Sequence, residues 1–219
     1  MPQAVGDPGR NCPRCPRLAA FRKTWRTNEP DWFNAPVPSF GPADARLLIV
    51  GLAPGLQGAN RTGRPFTGDY AGVLLYDTLG RYGFARGAFD ARIDDGLTLI
   101  DCRITNAVRC VPPENKPTTA EIATCREFLK PTIAEMPKLV ALVALGRIAH
   151  DSVVTALGAK KSATPFKHDG KHMLKHERIG ELALFSSYHC SRYNTNTGVL
   201  TPEMFRDVFE KVRTYLDYE

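Results

Sequence analysis

Leu47-Leu48-Ile49-Val50, running directly into GLAPGLQGANRTGRPFTGD from Gly51 to Asp69, is the stretch whose reading decides the fold. The apolar run is too short for a helix and reads as a buried strand. The loop that follows carries further glycines at 55, 58, 63 and 68, and helical periodicity resumes at Val73. Strand, Gly-rich loop and helix make one βα unit, and loops at the carboxyl ends of parallel strands are where α/β proteins bind ligands. Phe66 and the acid Asp69 make this loop a candidate site.

Downstream the same unit recurs. A first helix is expected from about Gly72 to Tyr82, with Val73, Leu74, Leu75 and Leu79 inward and Gly83 as its stop. Leu97 to Ala107 reads as a second strand ending near Asn106, and Phe84 to Gly96 only as loop. Thr118-x-x-Glu121 is a capping pattern opening a helix to about Leu129. Leu139 to Leu145 is a strand buried on both faces, followed by a helix over 147–157. Residues 158–176 hold five lysines and three histidines and read as a solvated basic loop or hairpin. Leu182 to Phe185 is the fourth strand, delivering Ser187 to Asn194 into a polar loop before Thr201-Pro202-Glu203 starts the last helix. The order predicts a three-layer αβα fold around a central four-stranded parallel sheet.

Upstream, residues 1–11 lack apolar periodicity, and Cys12-Pro-Arg-Cys15 precedes Leu18, Phe21 and Trp25 at helical spacing. Pro30, Pro36, Pro38 and Pro42 with Trp32, Phe33 and Phe40 read as an ordered crossing segment pinned by aromatics.

The chain has 219 residues, 43% hydrophobic and 24% charged, which bounds it to one compact domain over 1–219. Its net charge of +6 suits an anionic partner such as nucleic acid, or a merely basic surface. No apolar window approaches the roughly eighteen residues that span a membrane, and no signal-peptide core opens the chain, so a cytoplasmic protein is expected. In that compartment six cysteines point to metal ligands or spare thiols rather than disulfides.

Right-handed crossovers bring Asp69, Asn106 and His189 to one edge of the sheet. An acid, an amide and an imidazole there suit many hydrolytic reactions. The plain alternatives stay open at this point: Asp69 as a helix cap, Asn106 as a loop cap, His189 as a structural histidine, Phe66 as core.

GLAPG at 51–55, NRTGRPFTGD at 60–69, TNAVRCVPPENKPT at 105–118, VALGRIA at 143–149 and SYHCSRYNTNTGVLT at 187–201 together resemble the uracil-DNA glycosylases, and more narrowly their type B group, the fifth family. The resemblance implies a DNA-repair enzyme that flips a deaminated base and hydrolyses its N-glycosidic bond, leaving an abasic site. It implies catalytic roles for Asp69, on water and sugar charge, and His189, on the leaving base. Gly51, Ala53, Gly55, Phe66 and Asn106 would bind the base, and Ser191, Arg192, Tyr193 and Asn194 the DNA. Leu52 stands where the related family four carries an acid, which shifts the acid role to Asp69. From the group come possible further substrates: hypoxanthine, xanthine and ethenocytosine.

The same resemblance makes Cys12, Cys15, Cys110 and Cys125 ligands of a [4Fe–4S] cluster, with residues about 10–42 as the cluster-binding segment. By spacing alone zinc is nearly as suitable. Cys102 reads as core and Cys190 as loop packing. A monomer acting on DNA, without a membrane, is expected. The rival readings are an iron-sulfur module that binds damaged DNA without cleaving it, and a free-nucleoside hydrolase. Lys160, Lys161, Lys167 and Lys171 are either DNA contacts or solvated.

Overall fold

The computed structural model describes residues 6–68 and 70–218. In chain order the elements are α1 (Pro16–Asn28), β1 (Leu47–Gly51), α2 (Ala59–Thr62), α3 (Tyr70–Arg81), β2 (Ala85–Arg86), β3 (Thr98–Leu99), β4 (Cys102–Asn106), α4 (Thr119–Ala134), β5 (Ala141–Leu145), α5 (Arg147–Ala156), β6 (Gly170–His176), β7 (Gly180–Ser187), α6 (Arg192–Asn196) and α7 (Pro202–Tyr218). None of the described helices is long and apolar enough to cross a membrane.

The main sheet has five strands in the order β4-β1-β5-β7-β6. Its first four are parallel, as expected; the fifth, β6, runs antiparallel to β7 and corrects the four-stranded expectation. β6 was hidden inside the basic segment because it is an edge strand with only Leu174 buried, so its sequence GKHMLKH carries almost no apolar alternation. Lysines of the basic segment are partly engaged within the fold: on β6 the Lys171 ammonium lies 4.0 Å from the Tyr215 ring centroid, and ahead of β6 Lys161 pairs with Asp151 at 3.5 Å.

The four apolar side chains of β1, all buried, explain the layering. Leu47 and Ile49 pack on the side of α3 and α7, with Leu75, Leu79, Phe205 and Phe209. Leu48 and Val50 pack on the side of α4 and α5, with Leu129, Ile133, Val153 and Val154. A strand covered on both faces has no polar alternation, which is why the run is legible as apolar throughout.

The expected second strand is interrupted. Thr98–Leu99 pairs antiparallel with Ala85–Arg86 in a small separate sheet, and β4 begins only after Asp101, which sits at φ +53°. Asp101 takes that left-handed turn while its carboxylate accepts the Arg46 backbone N–H and guanidinium, both at 2.8 Å. Val73, expected inward on α3, is exposed. α4 opens on a complete capping box, with Thr118 Oγ1 accepting from Glu121 N–H and Glu121 Oε2 accepting from Thr118 N–H. It continues past Leu129 through Pro131 to Ala134, because Thr132 and Ile133 are buried and packing outweighs the missing donor. The proline-studded segment crosses the β4 edge, where Phe40 pairs with Ile104 and shields the outer strand.

Candidate active site

Gly51 ends β1 opposite Asn106 at the end of β4. A Cβ at Gly51 would lie 2.4 Å from Asn106 Oδ1 and 2.6 Å from Phe66 Cζ, so the glycine is what lets an amide and an aromatic ring meet at this strand end.

The loop beyond is held by buried groups. Arg64 donates two hydrogen bonds to Asp95, at 2.8 and 2.6 Å, and both side chains are buried. Its guanidinium also lies 5.4–5.5 Å from the ring centroids of Phe40, Tyr76 and Phe89. The Arg64 hydrogen bonds hold the Asp95 carboxyl well below the usual carboxylate range, and the Asp90 and Leu97 backbone N–H groups assist. The Thr67 hydroxyl donates to Arg64 O at 2.8 Å, and the Tyr76 hydroxyl donates to Pro65 O at 2.7 Å. Burial pushes the Tyr76 phenol far above its ordinary value, so it remains the donor. Phe66, at φ +56°, is thus turned into the cavity by bonds to the residues on either side of it. Its carbonyl would be 2.0 Å from a Cβ at Gly72, so α3 also needs a glycine to pack here.

The opposite wall comes from the end of β7. His189 lies against Phe66, with ring centroids 6.1 Å apart and an interplanar angle of 27°. Ser191 Oγ caps α6 by accepting from Asn194 N–H, and Asn194 Nδ2 donates to His189 O at 2.8 Å. Between the walls is a cavity of about 650 Å³.

Of the residues singled out from sequence, Ala53, Gly55, Phe66, Asn106, His189, Ser191 and Arg192 line this cavity, and Leu52 does too. Gly51 packs between Asn106 and Phe66, Asn194 braces the His189 backbone, and Tyr193 is 74% exposed outside the cavity. Asp69 lies outside the described residues. Sequence reasoning missed Gln57, Tyr70 and Asn115, which also line the cavity. Asn115 arrives on a short turn at φ +58°, beside Glu114 at φ +55°. Asparagine tolerates that region, but the prolines around it announce only a break.

A second, smaller pocket lies on the far side of β4's exit. Cys12, Cys15, Cys110 and Cys125 all line it, together with Leu18, Arg22 and Phe128. The Arg22 guanidinium donates to Cys110 Sγ and the Arg109 backbone N–H to Cys125 Sγ, each at 3.2 Å. Burial pushes the Cys15 thiol up to about 11 and the Cys110 thiol to about 12. The chemistry of this donor set, four thiols with two N–H donors aimed at sulfur, fits a thiolate-bound metal group. Among the described residues, no three His, Cys, Asp or Glu side chains converge closely enough to hold a single ion. Cys102 and Cys190 are buried in the main core.

Arg109 lies three residues past Asn106, and its fully buried guanidinium meets Asp7 at 2.7 Å, Ser39 Oγ at 2.9 Å and Thr132 Oγ1 at 2.9 Å.

Residues 38–213 match the family model described as the uracil DNA glycosylase superfamily. A type-5 uracil-DNA glycosylase of Thermus thermophilus is 43% identical over 208 residues, covering 92% of this chain and 92% of the relative. A type-5 enzyme of Pyrobaculum aerophilum is 38% identical over 205 residues, covering 92% and 87% respectively. A type-4 uracil-DNA glycosylase of the same organism is 34% identical over 152 residues, covering 69% and 63%.

Proposed function

The chain belongs to the uracil-DNA glycosylase superfamily, and from that membership we propose that its cavity hydrolyses the N-glycosidic bond of uracil in DNA and leaves an abasic site. The observation that carries this reading is that Phe66, His189 beside it and the buried Asn106 amide line one cavity. A base can be reached there only after it is flipped out of the duplex. Phe66 then offers a face for stacking, and Asn106 offers an acceptor and donors to the base's pairing edge.

The C–N bond breaks with its electron pair going to the base, and a water oxygen bonds to the sugar carbon. His189 stabilises the anionic base oxygen, and Asp69 positions the water, takes its proton and offsets sugar charge. Leu52, apolar at the cavity wall, leaves that role to Asp69. Ser191, Arg192, Tyr193 and Asn194 meet the DNA strand, Arg192 on a phosphate. Acceptance of hypoxanthine, xanthine or ethenocytosine beside uracil is the breadth that the resemblance to the type B group implies.

Cys12, Cys15, Cys110 and Cys125 would hold a [4Fe–4S] cluster whose contribution is structural. Four thiols lining one pocket are the donor set such a group would use, and the same thiolates would suit zinc as the alternative. The cysteines come from residues 10–42 and from the body of the fold, which supports one domain over the whole chain. One copy supplies every proposed group, so a monomer suffices.

Purified protein is expected to contain iron and sulfide and to release free uracil from a duplex oligonucleotide. Zinc in place of iron would replace the cluster assignment. Release of no base from uracil, hypoxanthine or xanthine substrates, with equal affinity for undamaged DNA, would replace the enzyme with a binding module. Cleavage of free deoxyuridine in preference to the oligonucleotide would indicate a nucleoside hydrolase.

A further inference from the structure

β7 outlasts its neighbour. The β6–β7 register pairs Gly170 with Ser186, and the last backbone bond across it runs from Asp169 N–H to Ser186 O at 2.8 Å. The next N–H on that side of β7 belongs to Tyr188, and its acceptor is an imidazole: Tyr188 N–H donates to His168 Nδ1 at 3.2 Å. On the other side of the same peptide, Gly146 N–H donates to Ser187 O at 2.8 Å. The Ser187–Tyr188 peptide is therefore held from both sides, one residue before His189.

We propose that His168 is a positioning residue for His189: its neutral imidazole replaces the missing strand partner and fixes the peptide from which His189 projects. A backbone N–H can only donate, so Nδ1 must carry the lone pair and the ring proton must sit on Nε2. The imidazole also stacks on the Tyr188 ring, with centroids 4.9 Å apart and 12° between planes. Protonating Nδ1 would set two N–H groups against each other and release the peptide.

The surroundings favour the neutral ring. Burial lowers the His168 value first, Asp169 opposes, Lys211 on α7 lowers it further, and Asp207 on α7 opposes. Lys211 is itself paired with Asp169. From β7, the groups facing the ring are Tyr188 and the Ser187 hydroxyl, 3.5 Å from Nδ1.

The inference rests on the proposed role of His189, and its test separates the two. Base release by the wild-type protein at pH 8 tests the activity itself. His168→Phe keeps the stacked ring but removes the acceptor; kcat is expected to fall by about 10- to 100-fold at pH 8 with little change in KM. His168→Asn places an amide oxygen near the Nδ1 position and does not titrate. It is expected to recover most of what His168→Phe loses, and to move the acid limb of the kcat profile to lower pH than in the wild type. In the wild type the Tyr188 amide resonance should titrate with His168, and in His168→Asn it should not; this NMR readout holds whether or not the protein releases a base. Wild-type kcat in His168→Phe, superimposed pH profiles for His168→Asn and wild type, or a Tyr188 amide indifferent to pH would each overturn the proposal.

Discussion

The two walls of the cavity are built by different physics. The Phe66 wall is locked by a buried ion pair, three aromatic rings around a guanidinium and a hydroxyl bonded to Pro65 O. The His189 wall is held by hydrogen bonds along its backbone, with Gly146 N–H donating to Ser187 O, Asn194 Nδ2 to His189 O and Tyr188 N–H to His168 Nδ1, and by the His168–Tyr188 ring stack, beside a short helix with no buried residues. The stacking side is braced by buried charge and packed rings, and the chemical side by hydrogen bonds at a strand end.

Four changes probe that contrast, beginning with the largest. Asp95→Ala strands Arg64 in the core and is expected to cost about 3–5 kcal/mol of stability, read by urea denaturation. A loss below about 1 kcal/mol would mean that the Phe66 wall is no more firmly locked than its partner. Gly51→Ala forces a methyl against Asn106 and Phe66 and should cost about 1–3 kcal/mol, with base release falling more than stability predicts. Full activity in that variant would show that the strand end has room to yield. Asn194→Ala removes one bond to His189 O, at about 0.5–1.5 kcal/mol, and should lower kcat while leaving the Phe66 wall's hydrogen-exchange protection unchanged.

The smallest effect is expected with pH. The Asp95 value is depressed in the fold, so its contribution is complete above about pH 4 and is lost only as pH falls through the folded value. His150 and His168 are also depressed, mainly by burial, which for an imidazole favours the neutral form. Their sites are most stable above about pH 6.5 and weaken as pH falls from there. Between those limits the His189 wall should loosen while the Phe66 wall stays closed. Hydrogen exchange at pH 5 and pH 8, corrected for intrinsic rates, checks this; equal protection changes in both walls would erase the contrast.

How much of this was legible in the sequence depends on how each feature is encoded. β1, β5 and β7 are apolar on both faces, and the α4 capping box is a local pattern, so both are visible without a fold. β6 answers to a single buried Leu174, and its polar edge looks like a loop. Asp95 sits in a stretch with Asp90 and Asp94, and spacing cannot say which of the three meets Arg64. His168 is one of three histidines in a basic segment, and its importance comes from β7 running one residue beyond β6, a property of register and not of composition. The cavity's first wall is therefore written in glycines and an apolar run, while the groups that brace both walls are fixed by partners distant in sequence.

The Asp7–Arg109 pair has a consequence for synthesis order. Asp7 emerges from the ribosome about a hundred residues before the guanidinium that will bury with it, a wait of roughly 5–20 s at typical elongation rates. Until then Cys12 and Cys15 have neither Cys110 nor Cys125 beside them. The beginning of this chain is made early but docks late, so an N-terminal truncation past Asp7 should leave Arg109 without its carboxylate and the nascent protein more exposed to proteolysis.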